Sequence, residues 1–179
     1  MQTEIRKICS GDSGLTWKFQ VNPESCDNPG HYEDYIRFCA ISDQLSGRGT
    51  TYIMVESDDN ASPIRILGFI TFKASSFLMD DGEGHELGEG AFEISELAVS
   101  SECERRGVGT DLVKYATVLA TELNEEKLGI RYVVLCADPA AEDFYSKPAL
   151  GLHRIGDFYR IPNEHWNTNC IPMVVKLFN

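Results

Sequence analysis

The segment spanning residues 92–127 constrains the fold more than any other part of the chain. FEISELAVS (92–100) is rich in apolar and β-branched residues and reads as a strand. The turn ECERRGVGT follows it. From about Val108 to Lys127 the apolar residues Leu112, Val113, Ala116, Leu119, Ala120 and Leu123 recur on one helical face, and Gly129 supplies a C-terminal stop. A strand that feeds a long helix through a glycine turn points to an α/β fold.

The turn itself carries chemistry. Gly107 and Gly109 leave backbone N–H groups unobstructed where a helix begins, which is where hydrogen bonds and the helix dipole together hold a phosphate. Arg105 and Arg106 add charge-assisted contacts. A P-loop is excluded because no Gly-Lys-Ser/Thr follows. A dinucleotide fingerprint requires a third glycine where the chain has Leu112. Taken alone, the two-glycine pattern also fits an ordinary helix start.

The remaining elements are consistent with one core. The sequence predicts short strands at 5–9 and 15–20, a helix over 31–45, and strands at 50–56 and 65–74. DDGEGHELGEG (80–90) reads as a solvated hairpin loop, since its carboxylates do not reproduce EF-hand spacing. IRYVVLCA (130–137) is an almost continuous apolar run, as in a strand covered on both faces. A short helix is predicted from Pro139, capped by Asp138, and LHRIGDFYRI and IPMVVKLF read as closing strands.

Two stretches together carry a family resemblance. EISELAVSSECERRGVGTDLV resembles the central motif of the GNAT family of N-acetyltransferases, a strand E-I-x-x-L-x-V followed by Q/R-x-x-G-x-G/A and a long helix. DPAAEDFY (138–145) is similar to the family's N-x-x-A-x-x-F-Y segment. Three departures stand out: Glu104 in place of Gln or Arg, Asp138 in place of Asn, and two extra residues in FYSKPALGL.

The resemblance implies a single GNAT-like α/β domain over residues 1–179, with a mixed, splayed β-sheet flanked by helices. Acetyl-CoA would be the donor substrate, wedged between strands 92–100 and 130–137. The amides of Leu97, Ala98 and Val99 would hold the pantetheine arm and thioester. Those of Arg105, Arg106, Gly107, Val108, Gly109 and Thr110 would hold the pyrophosphate, with Asp138 and Ala141 beside the cofactor. Tyr145 matches the tyrosine that serves as general acid to the coenzyme sulfur. Glu93 occupies the position of a catalytic carboxylate in many relatives and is the first candidate base, with Glu96 the second. A base is needed because an amine of pKa near 10.4 is a free nucleophile in only about 1 molecule in 10³ at neutral pH.

Charge and cysteine usage bound the partners. The 179-residue chain has 16 Lys+Arg against 28 Asp+Glu, a formal net charge of −12. Such a surface repels nucleic acid unless basic residues gather in one patch, and Arg65, Lys73 and Lys147 are the residues that would have to converge. The six cysteines show no CxxC or metal-ligand spacing, so no metal is expected. With no apolar stretch of about 20 residues and no signal-peptide core, the expectation is a cytoplasmic protein with reduced thiols and no membrane partner. His85, His153 and His165 have no spacing that links them to the acid and base candidates.

Three functions follow from this reading. The first is an N-acetyltransferase acting on a primary amine of a small molecule or protein. The second is a toxin-type acetyltransferase acting on aminoacyl-tRNA, the one nucleic acid that remains open. The third is a non-catalytic acyl-CoA sensor. Dimers are common in the family, so a homodimer is compatible with all three.

Overall fold

The computed structural model describes residues 2–80, 82–155, 159–160 and 170–178. Its strands are β1 (Gln2–Lys7), β2 (Thr50–Ser57), β3 (Pro63–Asp80), β4 (Glu86–Val99), β5 (Tyr132–Ala137), β6 (His153–Arg154), β7 (Tyr159–Arg160) and β8 (Ile171–Lys176). Its α-helices are α1 (Ser13–Thr16), α2 (Pro29–Asp34), α3 (Ala40–Leu45), α4 (Val108–Glu126) and α5 (Glu142–Tyr145). The chain divides into two compact units, Met1–Phe72 with Ser95–Val113, and Lys73–Ile94 with Lys114–Asn179. β3, β4 and α4 each contribute residues to both.

In the first unit β1 pairs antiparallel with β2, from Gln2↔Ser57 to Lys7↔Tyr52, and β2 pairs antiparallel with β3 from Thr50↔Phe72. The Ser100 N–H donates to the Leu67 carbonyl at 2.8 Å, which seats the end of β4 on β3. Ile8, Phe19, Ile36, Ile53, Val55 and Phe69 form the centre of a core in which the N-terminal segment and helices cover this sheet. Gly68 sets the depth of the next contact. A Cβ there would lie 2.9 Å from a Val108 methyl and 3.0 Å from the Ala98 carbonyl, so the glycine lets the first turn of α4 sit directly on β3.

Residues 29–45 form a helical run, as the apolar spacing predicts, but with a π turn over Tyr35–Cys39 between α2 and α3. Asn28 caps it, its side chain accepting from His31 N–H, and Pro29 occupies the first turn. Glu33 ties the run to the preceding loop by accepting from Val21 N–H at 3.0 Å. The strand expected at 15–20 is not formed. α1 and a turn take its place, because Phe19 and Val21 bury singly against the core with no strand partner.

In the second unit β4 and β5 are parallel, from Ala91↔Tyr132 to Ile94↔Leu135. β5 is antiparallel to β8, which is antiparallel to β6, and β7 pairs with β3 at Leu78 and Met79. The sheet is therefore mixed, as the α/β reading requires. Tyr132, Val133, Val134 and Leu135 are all buried, the burial that their unbroken apolar run predicts. The loop expected at 80–90 is much shorter, since β4 begins at Glu86. Gly90 belongs to the strand: a side chain there would collide with the Gly129 carbonyl, and Arg131 N–H donates to Gly90 at 3.0 Å. Reduced thiols are also corrected, for Cys136 and Cys170 form a disulfide where β5 and β8 run side by side. Cys9, Cys26, Cys39 and Cys103 form no disulfide, and of these four only Cys103 is buried.

Candidate functional site

The turn between β4 and α4 lies in the first unit and has an unusual backbone. A 3-10 turn, Ser101–Cys103, leaves β4 and buries Cys103. Arg105 then takes φ +60°, a left-handed conformation rare for a residue with a side chain, and Gly107 takes φ +88°. These reversals turn the chain so that α4 starts at Val108, with Asp111 N–H donating to Gly107 as its first helical bond at 2.9 Å. The N–H groups of Val108, Gly109 and Thr110 lie in the opening turn, where a helix provides them no acceptor of its own. Arg105 and Arg106 are exposed beside them. Of the two glycines only Gly107 is required by its backbone angle; Gly109 is helical.

Glu104, the departure from the family pattern, accepts a hydrogen bond from Asn22 Nδ2 at 3.0 Å. Its carboxylate is thus held by the N-terminal loop. The backbone amides and the two arginines remain for an anion.

Upstream, β4 presents Leu97, Ala98 and Val99, of which Ala98 is buried. Glu96 precedes them, and its Oε2 lies 3.0 Å from Nε2 of His31 in α2. The carboxylate side chain is 17% exposed and the imidazole 48%. The hydrogen bond to Glu96 raises the His31 pKa above its ordinary 6.5; partial burial opposes the rise, and the charges of Glu96 and Asp34 add to it. His31 also stacks on Tyr35 (6.5 Å between ring centroids) and meets Tyr32 edge-on at 5.2 Å.

The other carboxylate, Glu93, belongs to the second unit and has a different environment. Its side chain is 5% exposed and its Oε1 lies 3.0 Å from Lys73 Nζ. A buried charge needs such a partner, and here the lysine arrives from β3. Tyr145, at the end of α5, is buried, with the Phe144 ring 4.8 Å away in an edge-on contact. Asp138 caps the 3-10 turn Pro139–Ala141 by accepting from Ala140 N–H at 2.9 Å, as its place before Pro139 predicts.

Sequence reasoning missed His31, and it named Lys73 only for a basic patch and not as the partner of Glu93. Nothing local points to either, because each becomes informative only through a carboxylate on another element. His85 and His153 are exposed, and His165 lies outside the described residues. Arg65 is held by Glu56 (2.7 Å) and Glu102 (3.1 Å), Lys73 by Glu93, and Lys147 lies over the Phe144 ring. The two paired residues contribute little to a positive patch. Among the described residues no group of three or more His, Cys, Asp or Glu is placed to hold a metal, and no helix is long and apolar enough to cross a membrane.

Comparison with known proteins extends this picture. The family model described as acetyltransferase (GNAT) family matches residues 15–151. No curated protein matches at a significant level. Solved structures with the same fold include a tyrosine-to-phenylalanine variant of KacT, with TM-score 0.74 at 17% identity over 99% of this chain and 96% of that one. AtaTR bound with AcCoA gives TM-score 0.73 at 16% identity, covering 98% of this chain and 94% of that one. AtaT complexed with acetyl-methionyl-tRNAfMet gives 0.70 at 15% identity, covering 96% and 94%. At these identities the likeness is one of fold.

Proposed function

The chain belongs to the GNAT acetyltransferase family, and on that premise we propose that it transfers the acetyl group of acetyl-CoA to a primary amine of a small molecule or protein. The observation that carries the proposal is the β4–α4 turn, where left-handed Arg105 and Gly107 deliver three N–H groups at a helix N-terminus. Amides from Arg105 to Thr110 would hold the pyrophosphate, and those of Leu97, Ala98 and Val99 the pantetheine arm and thioester. Asp138 and Ala141 would border the cofactor.

In this reading the amine lone pair attacks the thioester carbon, the C–N bond forms, and the C–S pair departs on sulfur. Tyr145 donates the proton that converts thiolate to thiol, a role supported by its F-Y context and by the tyrosine-to-phenylalanine variants among the similar toxin structures. Glu96, on the strand segment that continues into Leu97–Val99, serves the removal of the proton lost by the amine, directly or through a group it holds. Glu93, the first candidate on sequence grounds, is paired with Lys73 and is the less favoured base in this reading. A cytoplasmic location belongs to the same proposal, since the donor is an intracellular thioester.

A second reading has its own support. The fold of AtaT, solved with acetyl-methionyl-tRNAfMet, favours an aminoacyl-tRNA acceptor, whereas the net charge of −12 opposes it. The test is release of free CoA thiol from acetyl-CoA with three acceptors: spermidine, a lysine-containing peptide and methionyl-tRNA. Turnover with spermidine or the peptide supports the first reading, and turnover with methionyl-tRNA alone supports the second. Acetyl-CoA binding without turnover on any of them would favour a sensor.

A further inference from the structure

The carboxylate of Glu96 does not face solvent alone: it is spanned by a histidine from the helical layer of its own unit. An ionised carboxylate only accepts, so Nε2 of His31 must be the donor across the 3.0 Å contact. That fixes the tautomer of the neutral ring and leaves its lone pair on Nδ1. The imidazole is 48% exposed and the carboxylate that holds it 17%, so the pair has a solvent-facing ring and a more buried anchor.

The surroundings are built for this pair. The π turn at Tyr35–Cys39 begins one turn after His31, and such turns in helices are frequent at functional sites. It places Tyr35 between the His31 ring and the Phe69 ring, stacked on Phe69 at 6.1 Å with 16° between planes. The Tyr35 hydroxyl in turn donates to Asp43 at 3.4 Å. The charges acting on His31 are Glu96 from β4 and Asp34 from its own helix, with Tyr32 and Tyr35 as the titratable rings against it.

We propose that His31 is the proton acceptor of the transferase, with Glu96 as its positioning carboxylate. The proposal rests on the acetyl-transfer reading above. The amine lone pair forms the C–N bond and the nitrogen passes its surplus proton to Nδ1. The C–S pair leaves on sulfur, which takes a proton from Tyr145. The imidazolium then releases its proton to solvent and Tyr145 regains one, so a neutral amine and a thioester become an amide and a thiol. Glu96 stabilises the imidazolium while it exists.

The test compares His31→Gln and Glu96→Gln with the wild type, using whichever of spermidine, lysine peptide or methionyl-tRNA releases thiol. Both variants should keep the acetyl-CoA thermal shift, since neither side chain is in the phosphate turn. His31→Gln should lose about 100-fold in kcat/KM together with the acidic limb of the pH profile. Glu96→Gln should keep the limb but move it to lower pH, in parallel with a fall in the His31 pKa read by imidazole NMR, a measurement that needs no acceptor. An unmoved limb in His31→Gln, with wild-type kcat/KM, overturns the proposal and leaves the transferase reading intact. A wild type that binds acetyl-CoA but acetylates none of the three acceptors overturns that reading and this proposal with it.

Discussion

Lys73 Nζ lies 3.0 Å from Glu93 Oε1, and the carboxylate side chain it meets is only 5% exposed. The two ends of the pair are unequal, because Lys73 is 36% exposed and retains access to water. Removal of the lysine strands a buried anion, whereas removal of the carboxylate leaves a cation that extends outward.

Lys73→Met is therefore expected to destabilise the fold by about 3 kcal/mol, the low end for a broken buried pair. Glu93→Gln should cost about 1 kcal/mol, and the double variant should recover part of the loss, with a coupling of about 1–2 kcal/mol in urea titrations. Glu93→Gln should also retain the acidic limb of the activity profile. Additive losses would remove the pair as a stabilising contact, and a vanished acidic limb would return the base role to Glu93.

The phosphate turn yields a prediction in which stability and binding part company. Arg105 is exposed and held at φ +60°, a conformation that costs a side-chain-bearing residue about 1–3 kcal/mol. Arg105→Gly relieves that strain but also frees the unfolded chain by about 0.5–1 kcal/mol, so stability should hold or rise slightly. Acetyl-CoA affinity should fall, since a charged phosphate contact is lost. The readout is Tm with and without acetyl-CoA, where saturation to 100 times Kd stabilises the wild type by about 2.7 kcal/mol. An undiminished thermal shift would take Arg105 out of the cofactor site.

Which parts of this site were legible in the sequence follows from the range of the contacts involved. α4 was expected over 108–127 and spans Val108–Glu126, because its Leu112, Val113, Ala116 and Ala120 repeat is a local signal that the core then uses. The cap at Asp138 and the run buried in β5 were legible for the same reason. The His31–Glu96 pair joins residues 65 positions apart, and Asn22–Glu104 joins residues 82 apart; no local pattern encodes either. The sequence reads Gly90 as a loop residue because the carbonyl that excludes a side chain there belongs to Gly129, far along the chain. Phe19 falls in the strand expected at 15–20, yet it is buried against the core outside any strand, because an isolated apolar residue carries no periodicity that separates the two cases.

Acid should expose a further contact in the first unit. Asp12 is 3% exposed, and burial works against its ionisation. Hydrogen bonds from Arg6 and from Cys9 N–H outweigh that effect and hold the carboxyl below its ordinary value. A lowered folded pKa contributes stability above the unfolded value near 3.9, and the contribution is lost as pH falls through the folded one. Asp12→Asn should be less stable than the wild type by about 1.5–3 kcal/mol at pH 7, and the gap should narrow steadily below about pH 4. A gap constant from pH 7 to pH 2 in urea titrations would assign the effect to shape and not to charge.

Tyr145 is the residue whose chemistry and packing are hardest to separate, since it is buried and also proposed as the acid. Tyr145→Phe divides the two. The ring and its edge-on contact with Phe144 at 4.8 Å are preserved, so folding should survive with a loss of at most about 1 kcal/mol. Acetyl-CoA affinity should change little, because the proposed phosphate and pantetheine contacts come from backbone amides on β4 and the turn. The departing thiolate, however, loses its proton donor, and kcat should fall by about 10²-fold or more with KM nearly unchanged. A more acidic leaving thiol needs less protonation, so an acetyl thioester of a low-pKa thiol that the protein accepts should narrow the gap between variant and wild type. A loss of kcat that is identical for both donors would mean that the hydroxyl supports the packing around the site and does not transfer a proton. Wild-type kcat in the variant, with C–S cleavage shown to limit turnover, would remove Tyr145 from the mechanism and leave solvent as the proton source.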